Sequence, residues 1–526
     1  MAGLADTPAW QELARHRQEL DAASLRDLVF ADKDRLAHCQ IAAAGLRLNY
    51  ALQFATPKTV DFLARLAAQE RLEDWRARMV HGDKINNTEN RAVLHTALRQ
   101  TSDAPVMVDG KDVIPDIRAV RGRMARFADD VRSGQWKGAA GKPIRAIVNI
   151  GIGGSDLGPR LATEALAPYA DGPKAHFVAN ADAFELLRAT KNLDPAETLF
   201  IVVSKTFTTE ETLLNAGAAR RWLTDKLGDD AVSRHFVAVS ANIAAARKFG
   251  IEAGHIFPIW DWVGGRFSLW SAVGLAVMLA IGPARFAAMC DGAAAMDAHF
   301  MTAPLAQNMP VLLGLLGIWQ RNFLDRRGLA VLPYSERLRN LPRYLQQLEM
   351  ESNGKSTTRE GAHTDYETAP ALFGDCGTIS QHSFHQWLHQ GSDVAAVDFI
   401  GVSEDDLAEP EHHKALLANM AAQAAALAFG RKADAPQECY AGNRASNLIL
   451  LDRLDPQSFG ALLALYEHKV FTQGVIWHLN SFDQPGVELG KKLAKGLKSG
   501  VAAADKENVF LADLYRMAGT PFDESM

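Results

Sequence analysis

The sequence predicts an α/β fold of two doubly wound units, with a helical segment before them and a helical tail after them. Short β-branched or apolar runs at 144–150, 175–178, 199–203 and 236–239 alternate with longer stretches of helical periodicity. That alternation is the signature of a parallel sheet covered by helices on both faces. It resumes at 329–332, 397–402 and 447–451, among helices such as 310–323 and 412–429. At 526 residues the chain also exceeds what one core usually holds.

Taken in order, residues 4–101 carry apolar side chains at three- and four-residue spacing with few β-branched runs, which predicts helices. The expected organisation is a helical segment over 1–115, a first α/β unit over 116–285, a second over 286–505, and a tail over 506–526. No internal repeat is visible, so any likeness between the two units is expected in architecture alone.

The composition, 48% hydrophobic and 22% charged, is that of a chain folded throughout. A net charge of -6 argues against a nucleic-acid binder, which would carry a basic face. The richest basic run, Lys491 to Lys498, alternates with apolar residues as a solvated amphipathic helix does. Residues 1–11 show neither a positive leader nor an apolar core, and the longest apolar run, 271–284, is too short to span a bilayer. The expected location is cytoplasmic. Cys39, Cys290, Cys376 and Cys439 have neither metal-site spacing nor a disulfide framework, in keeping with a reducing compartment.

The first chemical signal is Gly151-Ile152-Gly153-Gly154-Ser155-Asp156-Leu157-Gly158, between a predicted strand end and a predicted helix. Glycines there let backbone N–H groups approach an anion at a helix N-terminus, and a phosphate fits. The dinucleotide fingerprint would need Gly where Asp156 stands. An ordinary Gly-rich turn would look the same. A second strand end supplies Ser204-Lys205-Thr206-Phe207-Thr208-Thr209, which gathers hydroxyls and an ammonium at the carboxyl edge of the same predicted sheet. Plain helix capping is the alternative there.

The segment Met350-Glu351-Ser352-Asn353-Gly354-Lys355-Ser356 mimics the end of a P-loop, but Glu349 stands where Gly is required. What remains is an acidic residue beside turn formers, preceded by Gln347. A carboxylate so placed can act as a general base, although Glu is most often surface charge. His382, His385 and His389 are spaced to share one side of a helix. No HExxH-like companion supports a metal site, so an acid–base or structural role is the better reading. Gln484 and Lys491 flank a helix start and by themselves show only a capped helix.

Together these segments resemble the glucose-6-phosphate isomerase (phosphoglucose isomerase) family, over most of the chain. Lys84-Ile85-Asn86 with Thr88-Glu89-Asn90-Arg91-Ala92-Val93-Leu94-His95 is similar to its N-terminal block. Asp261-Trp262-Val263-Gly264-Gly265-Arg266-Phe267-Ser268 and the stretch 474–491 match its two signatures. The resemblance implies two sugar-isomerase (SIS) domains and a homodimer whose active sites each borrow a histidine from the partner. It implies no cofactor and no metal. It further implies that Gly154, Ser155, Ser204, Lys205, Thr206 and Thr209 hold the substrate phosphate and that Gln347 and Gln484 contact the sugar. Glu351 would be the base, Arg266 the group stabilising a cis-enediolate, and His382 with Lys491 the ring-opening pair. The chain departs from the common pattern at Ile379 and Ser380, where many members have Asn-Gly, and at Pro485, where many have Trp. These positions bear on loop shape.

The expected activity is reversible aldose–ketose isomerisation of glucose 6-phosphate and fructose 6-phosphate, in glycolysis and gluconeogenesis. A sugar-phosphate sensor would share the cradle but has no need of Glu351, Arg266, His382 and Lys491 together. Isomerisation of mannose or amino-sugar phosphates, and metal-dependent isomerisation, are the enzymatic alternatives.

Overall fold

The computed structural model describes residues 3–498 and 506–519. Two compact units divide at Ser481/Phe482. The expected boundary at 505/506 borders residues 499–505, which lie outside the described ones, as do the last seven of the expected tail.

The first unit contains two sheets of like design. One has five strands, ordered Lys174–Val178, Ala146–Ile150, Thr198–Val203, Phe236–Val239, Ile256–Phe257, and every neighbour is parallel. Its two central strands are buried at each residue, which is why they read as largely apolar runs, with Asn149 and Thr198 the polar exceptions. Val148, Ile150, Phe200 and Val202 face one side, where Ala216, Ala219 and Leu223 of the helix Glu210–Leu227 cover them. The chain starts in the middle, moves to one edge, then crosses back to the other. The resulting switch point lies between Ala146–Ile150 and Thr198–Val203.

The second sheet repeats this order with Ala371–Gly374, Gly328–Pro333, Ala395–Val402 and Ser446–Leu451, all parallel. The likeness between the halves is thus one of topology. An antiparallel hairpin from far upstream, Gln40–Ala43 and Leu46–Asn49, extends this sheet, and Leu46–Asn49 pairs with Ser446–Leu451. The sequence reading predicted only helices there. The loop is two residues, Ala44 and Gly45, at φ 51° and 76°. Such a turn demands left-handed backbone at both positions, and Ala-Gly lacks the Asn-Gly or Asp-Gly signal that advertises it. The helices Pro8–Glu19, Pro57–Gln69 and Leu72–His81 follow the expectation, whereas residues 82–96 form no helix and Met107–Val108 pairs with Lys111–Asp112 as a second short antiparallel hairpin. The very short Ile256–Phe257 and Ala371–Gly374 also escaped the sequence reading.

The second unit carries the helices Glu488–Lys498 and Lys506–Gly519. Among the described residues no helix is long and apolar enough to cross a membrane.

Candidate active site

Ile150 and Val202 are partners in the parallel register, so the two loops that leave these strands emerge side by side at the switch point. Open α/β sheets bind ligands at such a place. In the second loop, Ser204 is buried and its Oγ lies 3.1 Å from Thr209 Oγ1. Thr209 is the N-cap residue of Glu210–Leu227, yet its side chain makes no capping bond. Its hydroxyl is given to Ser204 instead. Thr206 is exposed, with Oγ1 2.7 Å from Thr208 Oγ1. Lys205 donates to the carbonyls of Asp261 at 2.9 Å and Val263 at 3.2 Å. Burial holds its ammonium below the usual lysine range.

In the first loop, a Cβ added to Gly154 would fall 1.9 Å from the carbonyl oxygen of Gly265. Only glycine lets these two backbones meet, and the contact delivers the turn Gly265–Phe267 to the loop that leaves Ala146–Ile150. A Cβ on Gly153 would come within 3.0 Å of Gln347 Nε2, so Gln347 lies against the same loop. Ser155 is half-buried, and its carbonyl accepts from Asn149 Nδ2 at 3.0 Å. A cleft of about 760 Å³ shares Gly153 and Gln347 with this corner and carries Arg188 and Arg343 on its wall. That volume suits a small organic ligand.

Gln347 and Glu351 bound one turn of π-helix that follows Leu341–Gln346. Such turns are rare and concentrate at functional sites. Arg266, 3% exposed, donates from Nε to Ser352 Oγ at 2.6 Å and from Nη2 to the Ser481 carbonyl at 2.6 Å. Its Nη1 meets Glu351 Oε2 at 3.2 Å. Ser481 is steadied by Asn353, whose Oδ1 accepts from Ser481 Oγ at 2.6 Å and whose Nδ2 donates to the Val470 carbonyl at 2.9 Å. A fixed cation therefore faces a half-buried carboxylate beside the two loops of the switch point. This arrangement can remove a carbon-bound proton and stabilise the oxyanion that results.

The structure thus brings Gly154, Arg266, Gln347 and Glu351 into one corner and sets Ser204, Lys205 and Thr209 in the adjoining loop. His382 is exposed, at the end of a separate turn, Ile379–His382. The three histidines do not share a helix face, because the helix begins only at His385. His385 Nδ1 and His389 Nε2 both approach Gln423 Oε1, at 3.2 and 2.9 Å, and Ser380 Oγ lies 3.2 Å from His385 Nε2. These two are structural. Gln484 and Lys491 belong to the second unit, where Lys491 Nζ pairs with Glu488 Oε1 at 2.9 Å. Lys355, of the P-loop mimic, donates to the Asn480 carbonyl.

Sequence reasoning took Ser352 and Asn353 for turn formers and missed that they brace Arg266. It also passed over Glu467-His468-Lys469, three ionisable residues in succession inside the largely apolar helix Pro456–Ile476. Charges that interrupt a buried stripe signal buried partners. Arg99 supplies one, with bonds to Asp297 at 2.6 Å and Glu467 at 2.5 Å.

The family profile described as "Phosphoglucose isomerase" matches residues 49–513. The glucose-6-phosphate isomerase of Deinococcus radiodurans is 52% identical over 508 residues, covering 94% of both chains. That of Deinococcus deserti is 51% identical over 524 residues, covering 96% of both. The crystal structure of a glucose-6-phosphate isomerase from Chlamydia trachomatis superposes with a TM-score of 0.89 at 32% identity, covering 98% of this chain and all of that one.

Proposed function

The chain belongs to the phosphoglucose isomerase family, and from that premise we propose that it interconverts glucose 6-phosphate and fructose 6-phosphate by acid–base catalysis. The observation that carries the reading is the Arg266–Glu351 pair beside the two phosphate loops.

Substrate arrives mostly as a closed ring. Opening it needs an acid at the ring oxygen and a base at the anomeric hydroxyl, a task for an imidazole near neutral pH. We assign this to His382, with Lys491. His382 is exposed, as a side chain offered to a second copy would be, and the proposed assembly is a homodimer with shared sites. Glu351 then takes the proton from C2 and returns it to C1, and the reverse for the ketose. Arg266 meets the negative charge that grows on oxygen, which yields a cis-enediolate. Gln347 and Gln484 are assigned contacts to the sugar.

Ser155, Ser204, Lys205, Thr206 and Thr209, with the close backbone approach at Gly154, are assigned to the phosphate. General acid–base help is worth ~10²–10⁴-fold, and one charge-stabilising donor about 3 kcal/mol. Remote phosphate binding supports the remainder by holding the open chain in reacting position. This residue set calls for no cofactor. The proposed units are 1–115, 116–285, 286–505 and 506–526, and the proposed location is the cytoplasm.

The test is a coupled assay of fructose 6-phosphate conversion by wild type and Glu351→Gln, both in excess EDTA. Turnover by wild type with a loss of roughly 10²–10⁴-fold in the variant is expected. An unaffected variant overturns the choice of base, and a wild type inactive on this substrate overturns the choice of sugar.

A further inference from the structure

Glu349 sits in the middle of the π turn that ends at Glu351, and its side chain enters the core. Its Oε2 accepts from Lys469 Nζ at 2.6 Å, and both side chains are 2% exposed. Among the described residues Glu349 Oε1 has no hydrogen-bond partner. The charge of this carboxylate therefore rests on Lys469. Lys469 comes from Pro456–Ile476, a helix buried along nearly its whole length. It also stands near a second buried carboxylate, Asp398, whose oxygens accept from Asn447 Nδ2 at 2.8 Å and from the Tyr466 hydroxyl at 3.1 Å. Among the described residues, Lys469, Asp398 and Tyr466 are the titratable groups that interact with Glu349. Arg266, in the neighbouring turn Gly265–Phe267, pairs with Glu351 instead.

We propose that Lys469 is a positioning residue for the reaction: by neutralising Glu349 beneath the π turn, it seats that turn so that Glu351 faces Arg266. The proposal rests on the assignment of Glu351 as base. A buried carboxylate without its cation must either move toward water or take up a proton. Movement would carry Glu351, two residues along, out of line. Displacement of a catalytic group by about 1 Å can lower a rate ~10²-fold.

Three variants test this: Lys469→Met, Glu349→Gln/Lys469→Met, and Glu351→Gln. Lys469→Met is expected to lose about 10²-fold in kcat at neutral pH with KM little changed, since the lost alignment matters in the transition state. The double variant, neutral at both positions, should regain at least about tenfold over Lys469→Met.

A folded Lys469→Met with wild-type kcat, while Glu351→Gln is inactive, overturns the positioning role and leaves the base assignment standing. An active Glu351→Gln overturns the base assignment itself. If Lys469→Met does not fold, the double variant decides: one that melts with wild type yet stays ~10²-fold down at every pH overturns the proposal.

Discussion

Arg266 Nη1 stands 3.2 Å from Glu351 Oε2, and the two side chains differ in exposure, 2% against 23%. The guanidinium is fixed from behind by Ser352 and the Ser481 carbonyl, while the carboxylate is reached from solvent. A ligand entering from outside would meet Glu351, the proposed base, first and find the cation already in place. Little reorganisation is left for the reaction step.

Arg266→Lys should therefore be severe. One ammonium cannot serve Ser352, Ser481 and Glu351 in the planar geometry of a guanidinium. Steady-state kinetics should show kcat lower by ~10²-fold, the equivalent of about 3 kcal/mol, with a smaller change in KM. A wild-type kcat would remove Arg266 from the mechanism.

Lys205→Met should act on KM. Losing a charge-assisted bond of about 1.5–3 kcal/mol weakens phosphate binding by roughly 10–100-fold. Burial holds the Lys205 ammonium below the usual lysine range. In wild type the cation is thus lost as pH rises through that depressed value, and KM should climb at a lower pH than an exposed lysine would give. Lys205→Arg, which keeps its charge throughout, should lack this alkaline limb. KM measured against pH for the three proteins checks both points.

Gly154→Ala places a methyl group 1.9 Å from the Gly265 carbonyl oxygen. Backbone must shift, at a cost of about 1–3 kcal/mol. Calorimetry should give a lower Tm. The same shift pulls the Arg266 turn from the loop proposed to hold the phosphate, so KM should rise as well. A variant unchanged in both would mean the two loops are not coupled.

Asp297 predicts an acid response. Its burial would raise the carboxyl, yet Arg99 and His468 hold it well below the usual carboxylate range. The folded-state value lies under the unfolded one, so its stabilisation is full above about pH 4 and is lost as pH falls toward the folded value. Asp297→Asn should lower stability by roughly 3–5 kcal/mol at neutral pH, because Arg99 is left short of a partner. Below about pH 4 the gap to wild type should narrow. Denaturant melts at several pH values would show it, and a gap independent of pH would contradict the assignment.

The central strands were legible in the sequence because burial on both faces leaves largely apolar runs, as at Thr198–Val203 and, apart from the buried Asp398, at Ala395–Val402. The two loops at the switch point stood out because glycines, hydroxyls and a lysine follow strand ends there, the residue types on which the proposed phosphate site rests. What could not be read locally depended on distant partners. Leu46–Asn49 is a strand because Ser446–Leu451 offers it an edge. Ser352 matters because Arg266 comes to it from another turn. Lys469 was passed over, because its meaning lies in Glu349, a distant partner.

The hairpin 40–49 has a consequence for how the chain is made. Leu46 and Leu48 are covered at 1% and 0% exposure, and the strand that pairs with theirs is translated several hundred residues later. At about 5–20 residues per second, the hairpin waits on the order of 20–80 s for that partner. During synthesis it is an unpaired, leucine-bearing sheet edge, open to capture by another nascent chain or by a chaperone. The C-terminal half must leave the ribosome before the N-terminal half is finished, and a ribosome stalled between them releases a chain that cannot close its own sheet.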